Sequence, residues 1–558
     1  MHRIMSPATF WSSTEDSPPG NNNITMNIPL TPVRFLRYAE QQFSGKTSVV
    51  CGDQRFTYRE LAERAGRLAG ALRKADVKAG DRVAFLSLNC HRLLEAYYGI
   101  LEAGAVLLPL NIRLAPSELA HILNDAGAKV LFLENEFLSA VESFRKNVPA
   151  ERFILLDAAA TLPWLSPTNY EDMLAGATPY HPDVMGFDEN SLAELFYTSG
   201  TSANPKGVML THRNVYLHAL SVCITFHTKA ESVQLHTIPL FHANGWGAAH
   251  SVTLAGGRHV MLQRFTCAEV FRLIERERVD SLSLVPIMAM ALVNSPDRSK
   301  FDLSSLQWVS IGGAASSPTL VEQAEKAFGC ECFSGYGLTE TAPVLSTARA
   351  KPGMELQGDP RYLAQARTGY AIPGVELRVA DINDEDVASD GNTMGEILAR
   401  GDGVMQGYWQ QPSATAEAMR GGWFHTGDMA TIDEDGSVLI VDRKKDIIVS
   451  GGENISSLEV EKCLSAHPAV YEAAVIPVPD DQWGEVPKAL IVRKPGSSLT
   501  LAELIEFCRS RIAHYKCPRF IEFLESLPKT ATGKVLKKGL REKYGTGQLG
   551  SQKELMKR

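Results

Sequence analysis

The sequence predicts an α/β protein, with a large multi-layer amino-terminal domain followed by a small α+β carboxy-terminal domain. Three observations carry that expectation. The chain has 558 residues, 22% charged and 44% hydrophobic, which is an ordinary globular composition at a length beyond one core. Short apolar runs alternate with segments of helical periodicity through the first part of the chain. After about residue 436 the texture changes, and short strands and helices follow in a different order.

From Tyr58, the segment YRELAERAGRLAGALRKA sets Leu61, Ala65, Leu68, Ala69 and Leu72 at the spacing of one helix face. VAFLSL and AVLLPL follow as short apolar runs with HRLLEAYYGILEAG between them, and SELAHILNDAG and KVLFLE continue the rhythm. Strands separated by helices imply a largely parallel arrangement. The pattern recurs from Phe271 to Leu284 and from Leu320 to Ala327. Later, GSVLIVD and IIVSGG read as strands joined by the charged Arg443-Lys444-Lys445-Asp446. SSLEVEKCLSAH is expected to be a capped helix, EAAVIPV and KALIVRK strands, LAELIEFCRSRIAHY a second helix and RFIEFLE a final strand. The expected division is 29–442, a junction at 443–446, and 447–558. Residues 1–28 are polar and rich in Pro, Asn and Ser, and read as a disordered leader without the apolar centre of a secretory signal.

A net charge of -8 and a pI near 6.0 offer no basic footprint for nucleic acid or an anionic membrane. Any anionic ligand must therefore be held by local features. No run has the length of a membrane span. Nine cysteines scattered from Cys51 to Cys517 suit reduced thiols and a cytoplasmic setting. Cys330 and Cys332 have no second pair at ligand spacing, so no metal role is expected for them.

The segment Thr198-Ser199-Gly200-Thr201-Ser202-Ala203-Asn204-Pro205-Lys206-Gly207 follows the apolar LAELFY and precedes VMLTH. Its glycines allow close backbone approach to an anion, its hydroxyls and amides can donate, and Lys206 adds positive charge. Standing alone, such a stretch is a polar surface turn, and it contains no Walker string. Three further segments follow in order: Gly335-Tyr336-Gly337-Leu338-Thr339-Glu340, Trp423-Phe424-His425-Thr426-Gly427-Asp428 and Pro528-Lys529-Thr530-Ala531-Thr532-Gly533-Lys534.

Together these segments resemble the motifs of the adenylate-forming superfamily of acyl-CoA synthetases, luciferases and peptide-synthetase adenylation domains, over nearly all of the chain after residue 30. Ser202 and Ala203 depart from the family's usual Thr and Gly. The resemblance implies ATP, Mg²⁺ and coenzyme A as ligands and a two-step ligation of a carboxylic acid. Thr198, Ser199, Gly200, Thr201, Ser202 and Lys206 would hold phosphates, and Gly335, Tyr336 and Gly337 would pack on adenine. Thr339 would meet the α-phosphate, and Glu340 with Thr201 would hold magnesium. Asp428 would bind ribose with Arg443, and Lys534 would complete the adenylating site. Lys445 falls at the family's hinge, about which the small domain swings to present the loop Gly451-Gly452 to pantetheine.

In Pro239-Leu240-Phe241-His242-Ala243-Asn244-Gly245-Trp246-Gly247, the resemblance places His242 near the carboxylate and makes Trp246 a gate to the acyl chain. A glycine-flanked tryptophan is equally well read as packed core. Gly312, Gly313, Ala314 and Ala315 would form a wall next to adenine and the acyl group. No charge marks this pocket, so a fatty or other apolar acid is expected, with a short sulfur-containing or aryl acid as the alternative. The competing acceptor is a separate carrier protein. A luciferase-type oxygenase and a non-catalytic nucleotide binder are the other readings, the latter disfavoured by the joint presence of Glu340 and Lys534. A homodimer is compatible with the sequence.

Overall fold

The computed structural model describes residues 27–157, 162–198, 205–351, 353, 356–451, 453–480, 482–529 and 535–545. Within them the helix expected from Tyr58 spans Tyr58–Lys74. It opens on a capping box, in which Glu60 N–H donates to the Thr57 hydroxyl and Thr57 N–H donates to the Glu60 carboxylate. The helix His91–Glu102 is buried on every side except at Arg92, as a helix enclosed between layers must be. These two helices approach so closely that a methyl group at Gly99 would lie 2.6 Å from the Ala65 carbonyl oxygen.

One continuous core joins both helices to two sheets. Val49 and Met261 enter it from a nine-stranded sheet, and Val83, Leu107 and Phe196 from a seven-stranded one. The central strands of both sheets run parallel, with antiparallel pairs at their margins. In open sheets of this kind ligands gather beyond the carboxyl ends of the strands. A third sheet is antiparallel, Val375–Ala380, Gly395–Gly401, Phe424–Ile432 and Val438–Arg443, and only its last strand corresponds to one expected from the sequence, GSVLIVD.

The carboxy-terminal part forms its own five-stranded sheet and apolar cores. The small capped helix is Ser457–Ser465, with the Ser456 hydroxyl accepting from Glu459 N–H. The second helix expected here is shorter than LAELIEFCRSRIAHY and stops at Arg509. Ile512 and Cys517 then turn into the core, Pro518 disfavours helix at the residue before it, and Phe520–Leu524 joins Gly484–Arg493 in parallel. A further helix, Lys537–Tyr544, was not anticipated. Asp442, buried at the end of Val438–Arg443, accepts from Ser457 Oγ at 2.6 Å and Leu458 N at 3.1 Å. A carboxylate there also suits the positive end of the helix dipole.

The large cores enclose several imidazoles. Burial holds His212 and His236 down to about 4 and His218 to about 3. These rings are neutral when folded and protonate near 6.5 when unfolded, so unfolding takes up protons as pH falls below 6.5. Each is expected to remove stability as pH falls from 6.5 to 5, by on the order of 1 kcal/mol per pH unit, a window above the ordinary carboxylate range. Buried carboxyls with raised pKa, such as Glu340, act in the opposite sense, so the test is a comparison with His218→Gln, whose stability should fall less steeply across that window; equal slopes would contradict this.

Candidate active site

The pairing of Phe424–Ile432 with Val438–Arg443 sets Asp428 directly opposite Arg443. Asp428 is 2% exposed; one oxygen lies 2.7 Å from Arg443 Nε and the other accepts from the Tyr336 hydroxyl at 2.6 Å. Burial, reinforced by Asp428, raises the Tyr336 phenol well above its ordinary pKa, so it remains a donor. Tyr336 arrives from the end of Glu331–Gly337, 92 residues before its partner. An ionised carboxylate offers about four acceptor positions, so one such group can serve several donors at once.

Glu340 lies in the short turn Thr339–Thr341 just beyond that strand, and Thr339 is buried beside it. Burial raises the Glu340 carboxyl above its usual range, against the opposing effects of the Tyr408 hydroxyl, Arg443 and Lys206. Tyr408 donates to Glu340 Oε1 at 3.0 Å, and Lys206 Nζ stands 4.7 Å from the Tyr408 ring centre. Tyr408 reaches this place because Gly407–Tyr408 pairs with Lys206–Thr211. No motif marks it in the sequence. Thr198 faces Lys206 across the hairpin that carries the phosphate-type segment. Ser199, Gly200, Thr201 and Ser202 lie outside the described residues, as do Gly452 and Lys534.

Gly312 ends the strand Trp308–Gly312 and is registered against Gly335. A methyl group at Gly312 would lie 2.8 Å from the Gly335 carbonyl oxygen and 3.1 Å from Trp246 Cζ3. At Gly313, where φ is +77°, it would meet Trp246 Cζ2 at 3.2 Å. The indole of Trp246 thus lies on the glycine pair, half-buried rather than enclosed in the core, with the exposed Ala314 and Ala315 next along the chain. Half-buried His242 leads into the turn that carries Trp246. Ala243, Asn244, Gly245, Trp246 and Gly247 all have φ between +43° and +85°. For the three with side chains this costs about 1 kcal/mol or more each.

Of two further predicted elements, one belongs to the carboxy-terminal part and the other lies at the junction. Gly451 (φ +60°) lies under Trp483 in the five-stranded sheet, at the turn between Ile448–Ser450 and Glu453–Ile455. Lys445 lies in the turn Lys444–Asp446, where Lys444 pairs with Glu396 at 3.0 Å and Asp446 with Arg541.

Two parallel-cored sheets around shared helices, a small α+β domain and a polar cluster beyond the strand ends define the adenylate-forming class of enzymes. A family model described as AMP-binding enzyme matches residues 36–409, and one described as AMP-binding enzyme C-terminal domain matches 459–534. The chain is 36% identical over 536 residues to a peroxisomal butyrate–CoA ligase of Arabidopsis thaliana, covering 92% of this chain and 93% of that one. It is 38% identical over 497 residues to a long-chain-fatty-acid–CoA ligase of Thermus thermophilus, covering 88% and 90%. Among solved structures, the anthranilate CoA ligase AuaEII in complex with anthranoyl-AMP superposes with a TM-score of 0.82 at 27% identity, covering 93% of this chain and 98% of that one. This chain belongs to the AMP-binding enzyme family, in its acyl-CoA synthetase branch, and is an AMP-forming acid–thiol ligase.

Proposed function

We propose that the protein joins an apolar carboxylic acid to AMP at the expense of ATP, and then passes the acyl group to coenzyme A. The observation that carries this reading is the registration of Gly312 against Gly335, which sets the Trp246 wall beside the Tyr336–Asp428–Arg443 cluster. An acid held at that wall would have its carboxylate near the nucleotide's α-phosphate. In this reading the Tyr336 ring packs on adenine, Asp428 and Arg443 bind ribose, and Thr339 donates to the α-phosphate. The family hinge at Lys445 separates residues 29–442 from 447–558, and rotation there brings the Gly451 loop to the thiol arm.

Magnesium fits Glu340 by donor chemistry: a carboxylate oxygen suits a hard cation that shares its remaining positions with phosphate oxygens. Among the described residues no group of three or more His, Cys, Asp or Glu is placed to hold a metal by itself. When bound, the ion would withdraw charge from the phosphates. Among the described residues no helix is long and apolar enough to cross a membrane.

The acid's class is supported by the uncharged wall of Gly312, Gly313 and Trp246, and by relatives named for butyrate, long-chain fatty acids and anthranilate. A panel of acids of graded length, assayed for AMP release with and without coenzyme A, tests the proposal. Failure of every acid to release AMP would refute it. Trp246→Ala is expected to shift preference toward longer or bulkier acids by about tenfold in kcat/KM, the scale of one or two methylenes in an apolar pocket. An unchanged chain-length profile would remove Trp246 from the acyl wall.

A further inference from the structure

Glu194 is fully buried in the strand Leu192–Thr198, in a sheet position where an apolar side chain would normally sit. Alternation along the strand puts it on the face of Phe196, in the core shared by the two sheets. Both of its oxygens are used. One accepts from His250 Nε2 at 2.6 Å and the other from Asn244 Nδ2 at 3.1 Å. Asn244 Oδ1 in turn accepts from Gly247 N–H at 2.7 Å. One asparagine side chain thereby closes the left-handed turn across Gly245 and Trp246 and ties it to the strand. His250 is itself fixed, with its ring edge-on to Tyr97 and Tyr98 at 5.4 and 5.7 Å between centres.

We propose that Glu194 is a positioning residue for acid selection: it holds Asn244, Asn244 holds the turn, and the turn lays the Trp246 indole on Gly312 and Gly313. A buried carboxylate with two buried donors is costly to leave half-paired, so the arrangement resists slipping into another turn. A run of left-handed residues with side chains would otherwise relax and carry the indole off the glycines. The inference rests on the reading of Trp246 as part of the acyl wall.

The polarity of the Glu194–Asn244 bond can be reversed without changing its shape. Asn244→Asp keeps the acceptor for Gly247 N–H but sets two carboxylates face to face. Adding Glu194→Gln restores one donor and one acceptor, and leaves the glutamine carbonyl for His250. Asn244→Asp is expected to raise KM for the acid about tenfold and to alter the chain-length profile, with KM for ATP within about twofold. The double variant is expected to return both to within about threefold of the parent. Tryptophan emission of each protein, less that of its Trp246→Phe counterpart, should show the indole more exposed in Asn244→Asp and covered again in the double variant.

Asn244→Gly relieves the backbone while removing the bond, so it serves if Asn244→Asp fails to fold, with the same loss of acid selectivity expected. A lower melting temperature with an unchanged acid profile and unchanged Trp246 emission would overturn the proposal. So would failure of the double variant to restore them. Should no acid support AMP release by the parent protein, the proposed reaction falls, and the emission comparison alone decides whether Glu194 positions Trp246.

Discussion

Replacing Lys534 by alanine is expected to reduce carboxylate-dependent exchange of pyrophosphate into ATP by about 10²-fold or more, equivalent to about 3 kcal/mol of transition-state stabilisation. Adenylation drives a carboxylate against an α-phosphate, so two anions must approach within bonding distance. An ammonium between them offsets that repulsion as charge develops on the phosphoryl oxygens. The second step has no such need, because the acyl-adenylate is already an activated electrophile and its attacker is a thiol. Thioester formation from supplied acyl-adenylate should therefore stay close to the parent rate. Measuring the two half-reactions separately tests the assignment, and an equal loss in both would refute it.

Asp428→Ala should lower kcat/KM for ATP by about 10²-fold, the scale of two lost hydrogen bonds to a charged group. Asp428 takes the Tyr336 hydroxyl and the Arg443 guanidinium at once. Its removal would take away the acceptor proposed for the ribose and leave the half-buried phenol without this partner. The Arg443 side chain is 43% exposed, so solvent would make up part of its loss. Asp428→Asn keeps the volume but replaces one acceptor with a donor facing Arg443, and should behave nearly as badly. Titration of nucleotide affinity by calorimetry separates binding from chemistry; unchanged affinity would release Asp428 from the nucleotide site.

The candidate residues were legible in the sequence as four short motifs in a fixed order, and the structure brings Tyr336, Asp428 and Arg443 together from separate strands. Glu331–Gly337 follows the amphipathic helix Pro318–Phe328, and the glycines ending it and Trp308–Gly312 mark where backbone meets backbone. What stayed hidden depends on partners far along the chain. Glu194 inside LAELFY carries no local sign of its role, since Asn244 and His250 are 50 and 56 residues away. Tyr408 likewise gains its meaning only when its short strand pairs with Lys206–Thr211. The helix Lys537–Tyr544 escaped notice because Leu540 is its one buried residue, leaving no apolar stripe to read. The overlong helix after Leu501 reflects the opposite fault: its periodicity continued past Arg509, while the pairing of Phe520–Leu524 required a turn.

The enclosed helix His91–Glu102 has a consequence for how the molecule can vary. It has almost no outward face, and it shares one core with the helix Tyr58–Lys74 and with strands of both sheets. Neither sheet can be exchanged, shortened or shifted in register without unsettling a surface that the other also uses. The residues proposed to select the acid, a turn, a glycine pair and one indole, lie at or beyond the strand ends, apart from most of that shared surface.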